Sequence, residues 1–257
     1  MSIKLKTSDD IKRLREGGAI LARILNEVAG MIKSGVSTEE LNDLAEKRIA
    51  EVGGRSSFKG YRPTWARTPF PTALCTSINN EVVHGLAMPS RILKDGDIVG
   101  IDCGLVYQER FTDMARTIAV GNVSKELTKL IRITEDALRQ GIEAVRPGRK
   151  ISEVAKIIQA HVENAGFSVV RELVGHGVGF AIHEEPQVPN FFDRRLPDTV
   201  LESGMVIAIE PMVNTGGWPV DTLADGWTIV TADGSHSAHF EHSVVVTENG
   251  YEILTTL

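Results

Sequence analysis

Two aspartates, Asp102 and Asp113, lie in the stretch Ile101 to Thr117, which reads as two short strands joined by a polar tip. The tip falls at Gln108-Glu109, and a turn of two residues or of four (Tyr107 to Arg110) gives the same pairing register. In that register Gly104 lies opposite Asp113, and Asp102 sits one diagonal step away on the same face. Diagonal partners have Cβ atoms about 7 Å apart, so two carboxylates can reach a shared centre. Two bare carboxylates that close raise each other's pKa, and something positive is expected between them. A pair of divalent metals about 3.5–4 Å apart fits that space. A three-residue turn would send one aspartate to the other face and end the idea.

Three further polar residues sit in apolar or glycine-rich settings that do not ordinarily tolerate them. His176 lies in Val174-Gly-His-Gly-Val178, where flanking glycines allow close backbone approach and leave the imidazole projecting into open space. Glu210 ends the apolar run Met205 to Ile209, and Glu241 sits on a strand heading into Val244 to Val246. A buried carboxylate needs a partner. One imidazole and four carboxylates form a hard, oxygen-rich set suited to Mn, Fe(II), Co or Zn. Taken singly, a strand carboxylate is usually solvated or paired with a basic residue, and a histidine between glycines is usually a turn residue. The joint occurrence carries the weight. Cys103, beside Asp102, points to the opposite face as a small core hydrophobe, and His161 is expected on the surface of a helix.

The elements that must position these residues are legible from periodicity. Ser8 is expected to cap a first helix, with Ile11, Leu14, Leu21, Ile24, Leu25, Val28 and Ile32 as its apolar stripe. Ser37-Thr-Glu-Glu40 is a capping box for a second helix, which Gly53-Gly54 closes. Residues 55–71 read as irregular, and strands follow at Ala73–Ile78 and Glu81–His84. A third helix opens at Val123-Ser124, and Ser152 is expected to cap a fourth. Strands are then predicted over Phe167–Leu173, Met205–Ile209, Trp227–Thr231 and His239–Thr247. Two helices, strands, two helices, strands: the order predicts an α+β fold, a doubled α-α-β-β unit with helices on one face of a strongly curved sheet. No linker divides it, so residues 1–257 are expected to form a single catalytic domain.

At 257 residues and 42% hydrophobic, the chain can bury a substantial core. A net charge of -6 argues against a dedicated nucleic-acid binder. The basic patch Lys4, Lys6, Lys12, Arg13 and Arg15 reads as a solvated helix face. Two cysteines are too few for a disulfide scaffold, no signal peptide is apparent, and no apolar run reaches the ~18 residues of a membrane span. A cytoplasmic protein is expected.

The motifs Asn80-Glu-Val-Val-His-Gly85, Gly175-His-Gly-Val-Gly179, His183-Glu-Glu-Pro-Gln187, Ile209-Glu-Pro-Met212, Asp225-Gly-Trp227 and Phe240-Glu-His242, with Asp102 and Asp113, resemble those of type I methionine aminopeptidases of the bacterial form. The resemblance covers nearly the whole chain. It implies the pita-bread fold, two pseudo-symmetric α-α-β-β halves around a curved antiparallel sheet. It further implies a metalloaminopeptidase that removes the initiator methionine from nascent chains, preferring a small second residue, with two divalent metals (Co, Mn, Fe(II) or Zn) activating a water. By the same resemblance Asp102 chelates one metal, His176 and Glu210 the other, and Asp113 and Glu241 bridge them. His84 and His183 match the two non-ligand histidines near the scissile bond, either of which would stabilise the oxyanion, and Glu210 would shuttle the proton. Cys75, Phe70, Trp227, Tyr61 and Ile182 match the methionine pocket. A monomer that meets the ribosome transiently and has no membrane partner is the implied state.

The chain departs from the family pattern in four places. Residues 62–69 make a longer link than expected between Tyr61 and Phe70, which would let Trp65 form part of the cleft wall. Phe70 stands where tyrosine is expected, Ile182 where phenylalanine is, and His239 where glutamine is. His239 is expected on the same strand face as Glu241, there to tune the metals or to serve as an ordinary surface residue. Two other readings compete. A proline-specific dipeptidase of the same fold is disfavoured by the compact length and by His84 in its motif. A metal-free binding protein is disfavoured by the complete ligand set.

Overall fold

A computed structural model of the chain describes residues 3–257. Its helices are α1 (Ser8–Met31), α2 (Thr38–Glu51), α3 (Lys125–Glu143) and α4 (Ile151–Asn164). The strands of the first half are β1 (Arg55–Ser56), β2 (Leu74–Ile78), β3 (Glu81–Val83), β4 (Ile98–Tyr107) and β5 (Arg110–Ala119). Those of the second are β6 (Ser168–Val169), β7 (Gly175–Gly177), β8 (Glu184–Val188), β9 (Val206–Ile209), β10 (Met212–Asn214), β11 (Val220–Thr222), β12 (Ile229–Thr231), β13 (Ser237–His239), β14 (Glu241–Thr247) and β15 (Gly250–Ile253).

The principal sheet runs β1-β4-β5-β14-β9-β7-β8, with β2 joined to β4 and β15 to β14. Every pairing is antiparallel. Two apolar layers cover the sheet on its helix side. Leu21, Leu25 and Val28 of α1 and Leu41, Ala45 and Ile49 of α2 meet Leu74, Ile101, Cys103 and Leu105. Leu130, Leu138 and Ile142 of α3 and Val154, Ile158 and Val162 of α4 meet Ile207, Ile209, Val244 and Val246. The doubled α-α-β-β order thus appears as two helix pairs on two halves of one sheet. Cys103 lies in the first layer, fully buried, so strand alternation turns its neighbour Asp102 to the other face.

The hairpin turn is the two-residue one. Tyr107 pairs with Arg110, and Gln108 and Glu109 have φ of 47° and 59°. Neither residue favours that left-handed region. The ladder from Ile98↔Ala119 to Tyr107↔Arg110 sets the turn, and it places Gly104 opposite Asp113 as the spacing predicts.

Several boundaries differ from expectation. Thr7, not Ser8, caps α1: its hydroxyl accepts from Asp10 N at 3.3 Å while Asp10 Oδ2 accepts from Thr7 N at 2.9 Å. Ser152 is likewise inside α4; Asp198 accepts from its amide at 3.1 Å and its hydroxyl at 3.0 Å, doing from a distance what a local cap would do. Within 55–71, Arg55 and Ser56 pair with Val106 and Leu105 as the short edge strand β1. Only Ser168–Val169 of the segment predicted at 167–173 forms a strand. The predicted strand 239–247 is broken at Phe240 into β13 and β14. His161 is half-buried, its Nδ1 2.8 Å from Gln140 Nε2, rather than on the surface.

Lys6 also leaves the expected solvated patch. It is buried, pairing with Glu184 at 2.8 Å and lying over the Phe180 ring. Arg13 and Arg15 pair with Asp9 and Glu252, which offsets the patch's charge. Among the described residues no helix is long and apolar enough to cross a membrane.

Asp10 joins the first helix to the hairpin, because Arg110 donates to its Oδ1 from Nε at 2.9 Å and from Nη2 at 2.5 Å. Burial pushes the Asp10 carboxyl up, but the bonds from Thr7 and Arg110 outweigh it and hold the pKa at about 2. A depressed carboxylate contributes stability that is present above its unfolded value and lost as pH falls through the folded one. Asp10→Asn should therefore lose on the order of 2 kcal/mol at pH 7. In urea unfolding, its gap from wild type should hold down to about pH 5 and close toward pH 2.

Candidate metal centre

Register alone brings most of the acidic residues together. Cys75 pairs with Asp102, Asp102 with Ala115, and Ala115 with Glu241, so one row crosses four strands on the face away from the helices. Asp113, two residues from Ala115, shares that face. Its backbone is fixed by Ser243, whose hydroxyl accepts from Asp113 N and donates to Asp113 O, each at 2.9 Å. Gly104 opposite carries no side chain because Ser57 and Phe58 fill the place: a Cβ there would stand 1.9 Å from Ser57 Oγ.

Glu210 is placed by a break in two strands at once. His242 pairs with Ile209 in one sheet and His239 with Met212 in another, in a single continuous register. Glu210-Pro211 and Phe240-Glu241 face each other where both strands cross between sheets. Pro211 has no amide to give the ladder, and Phe240 N donates to its carbonyl at 3.4 Å. Glu210 and Glu241 are thereby turned toward the same space.

His176 comes from the short strand β7, which is squeezed between neighbours. A Cβ on Gly175 would lie 2.3 Å from Ala208 O, and one on Gly177 would lie 2.2 Å from Glu185 O. The glycines are required by that approach. His176 Nδ1 lies 3.0 Å from Gly177 O; with the proton there, Nε2 keeps its lone pair and faces Glu210 Oε1 at 3.5 Å.

These groups lack the partners that buried charges need. Asp113 and Glu241 are 3% and 2% exposed, and Asp102 Oδ1 and Glu241 Oε1 have no hydrogen-bond partner among the described residues. Burial pushes the Asp113 carboxyl well up, with Asp102 and Glu210 adding like charge. Burial followed by Asp113, Glu210 and Asp102 does the same to Glu241. Asp102 is raised too, by burial and Glu210 against the opposing His239. A divalent cation answers all of this, and oxygen with imidazole is the donor set such ions take. Ligand atoms of Asp113, His176 and Glu241 lie within 4.8 Å of one another.

A cavity of about 450 Å³ joins the acidic residues to an aromatic wall. Asp102, Asp113, His176, Glu210 and Glu241 line it, as do His84, His183, Tyr61, Phe70, Cys75 and Trp227. Phe70 and Trp227 meet edge to face, with ring centres 5.1 Å apart at 79°. Ile182 and Cys75 belong to the same apolar cluster. Burial, then Asp102 and Asp113, push the Cys75 thiol up, so it stays a neutral S–H. His84 sits in the left-handed region at φ 59°, its ring centre 6.4 Å from that of Trp227; burial, with His239 adding, lowers its pKa to about 4. His183 is exposed at the cavity, its ring centre 4.5 Å from that of His176. Desolvation by the surrounding protein, then His176 and His84, lowers its pKa.

The long link at 62–69 closes at its neck. Phe70 N donates to Tyr61 O at 2.9 Å and Gly60 N to Phe70 O at 2.8 Å, so Tyr61 and Phe70 are adjacent across the residues between them. Tyr61 Oη lies 2.9 Å from His183 Nδ1. Ala66 plugs the loop into the aromatic cluster, while Trp65, 61% exposed, lies 5.1 Å from Trp227 and lines the cavity mouth. His239 is not on the strand of Glu241 and not at the surface. It ends β13, is 4% exposed, and its Nε2 is 3.3 Å from Glu210 Oε2. Phe58, Leu173 and Met212 also line the cavity and escape sequence reasoning, because each is an ordinary apolar residue in an apolar setting.

The model of metallopeptidase family M24 matches residues 12–248. A methionine aminopeptidase of Clostridium perfringens is 48% identical over 255 residues, 99% of this chain and 99% of its own length. The crystal structure of a methionine aminopeptidase from Thermotoga maritima superposes with a TM-score of 0.95 at 41% identity, covering all of both chains. A prolidase from Pyrococcus furiosus shares the fold at a TM-score of 0.76 and 24% identity, over 98% of this chain and 65% of that one.

Removing one of the crowded carboxylates should expose the conflict. Glu241→Gln without metal should melt a few degrees higher than wild type at pH 7. A raised carboxyl costs stability above its unfolded value, so the gain should shrink as pH falls toward the ordinary glutamate range. The rise in melting temperature on adding Mn²⁺ should be smaller in the variant than in wild type.

Proposed function

Since the chain belongs to metallopeptidase family M24, we propose that its metal use and its chemistry centre on the acidic end of the aromatic cavity. It is a metalloaminopeptidase of the pita-bread fold that hydrolytically removes N-terminal methionine. We read residues 1–257 as one catalytic domain. The observation that carries the site reading is the cross-strand row that ends one cavity with paired carboxylates and walls the other side with aromatic rings.

Asp102, Asp113, His176, Glu210 and Glu241 would hold two divalent ions. When bound, such ions polarise a carbonyl and lower the pKa of a water at neutral pH. The acidic end of the cavity favours a free α-amine, which restricts cleavage to the first residue. The methionine side chain packs against Phe70, Trp227, Tyr61 and the neutral Cys75 thiol, surfaces that suit a thioether. Glu210 accepts the proton of the attacking water and returns it to the leaving amine. His183 is the better placed oxyanion donor: with the Tyr61 hydroxyl donating to Nδ1, its proton sits on Nε2, facing the cavity. His84 is neutral at pH 7 and lines the same space. Nascent chains supply the termini, and a monomer meeting the ribosome transiently is the state in which they would be met.

Metal-stripped protein should release no methionine from Met-Ala-Ser or Met-Leu-Ser. Added Co²⁺, Mn²⁺, Fe²⁺ or Zn²⁺ should restore release from the first peptide but not the second. No release with any ion, from protein shown to be folded, would reject the reading, and cleavage of Xaa-Pro dipeptides instead would favour the proline-specific alternative. Trp65→Ala should raise KM for Met-Ala-Ser about two- to fivefold, the worth of one aromatic contact, with kcat little changed. An unchanged KM would remove Trp65 from the substrate's path.

A further inference from the structure

Both carboxylate oxygens of Glu210 face an imidazole. His176 Nε2 stands 3.5 Å from Oε1, and His239 Nε2 stands 3.3 Å from Oε2. His176 is accounted for by the ligand set; His239 is not. Its side chain is 4% exposed, and its Nε2 is a buried nitrogen with no aligned hydrogen bond among the described residues. Leaving such a group unpaired costs free energy, so its position calls for a use.

The backbone holds it there. His239 N donates to Thr117 Oγ1 at 2.8 Å, and the Thr117 hydroxyl donates back to His239 O at 3.0 Å. On its other side His239 is paired with Met212. With the chain clamped at the end of β13, just before Phe240 redirects it, the ring stays buried beside the carboxylate.

We propose that His239 is a positioning residue for the metal centre. Its imidazole, with a proton on Nε2, would donate to Glu210 Oε2, 3.3 Å away, and leave Oε1 and His176 Nε2 available to a divalent cation. A ligating carboxylate free to rotate would lose affinity, and hydrogen bonds to the non-ligating oxygen are how metal sites prevent this. The inference rests on the reading of Glu210 as a ligand.

The test measures metal binding without peptide. Titration of metal-stripped protein with Mn²⁺ by calorimetry gives the affinity of the tighter site, and the Co²⁺ absorption spectrum reports the number and kind of ligands. His239→Phe keeps a ring but no donor, and it should weaken Mn²⁺ binding about tenfold or more. His239→Gln keeps an N–H and should stay within about threefold of wild type, with an unchanged Co²⁺ spectrum. If His239→Phe does not fold, His239→Ala carries the same comparison. Equal affinity in wild type and the donor-free variant overturns the proposal, as does equal weakening in both variants. A changed Co²⁺ spectrum in His239→Gln overturns it by making His239 itself a ligand. Failure of the wild-type protein to bind Mn²⁺ removes the ligand reading and this inference together. Binding that follows the predicted order without methionine release sinks only the proposed reaction.

Discussion

Carboxylates that cannot all ionise together in a low-dielectric interior need positive charge among them, and the protein is built around that conflict. Asp113 and Glu241 are almost wholly buried, Asp102 lines the same cavity, and Glu210 is close enough to raise all three. Among the described residues no lysine or arginine pairs with Asp102, Asp113 or Glu241. An apolar core of this size could have been closed with leucine and valine at those positions at no electrostatic cost. The positions instead keep buried carboxylates that are poorly satisfied without positive charge among them.

Different physical devices place the individual groups, and this decides what could be read in advance. Asp102 and Asp113 follow from strand alternation and hairpin register, both local, and the sequence reading of them matches the ladder residue for residue. His176 is equally local: its two glycines advertise the close approach to Ala208 and Glu185. The capping box of α2 is legible from four consecutive residues. By contrast, the meeting of Glu210 with Glu241 depends on two distant strands breaking at the same level, and nothing around Phe240 signals a break. That is why a continuous strand is expected over 239–247, and why His239 is placed on the wrong strand. The Asp198 bonds to the start of α4 and the burial of Lys6 by Glu184 are non-local in the same way. Gln108 and Glu109 adopt a turn that glycine or asparagine would have announced; the length of the ladder dictates it instead.

The aromatic side of the cavity carries a loop that stands clear of the residues at its base. The neck between Tyr61 and Phe70 is closed by two backbone hydrogen bonds, so residues 62–69 lie outside a fixed base. Loop closure at a preformed neck is entropically mild, and Ala66 supplies a single apolar anchor. Tyr61 contacts His183, and Trp65 packs against Trp227 at the cavity mouth.

The position of β14 in the principal sheet bears on how the chain is made. It is the penultimate strand in sequence, yet it lies between β5 and β9 and also pairs with β15. During synthesis both halves emerge before the strand that joins them, so β5 and β9 wait with unpaired edges that other chains could extend. The acidic row is incomplete over the same interval, because Glu241 opens that strand. Loss of the C-terminal segment would accordingly split the sheet at its middle rather than trim its margin. Folding that depends on so central a strand is governed by long-range closure, the slow kind.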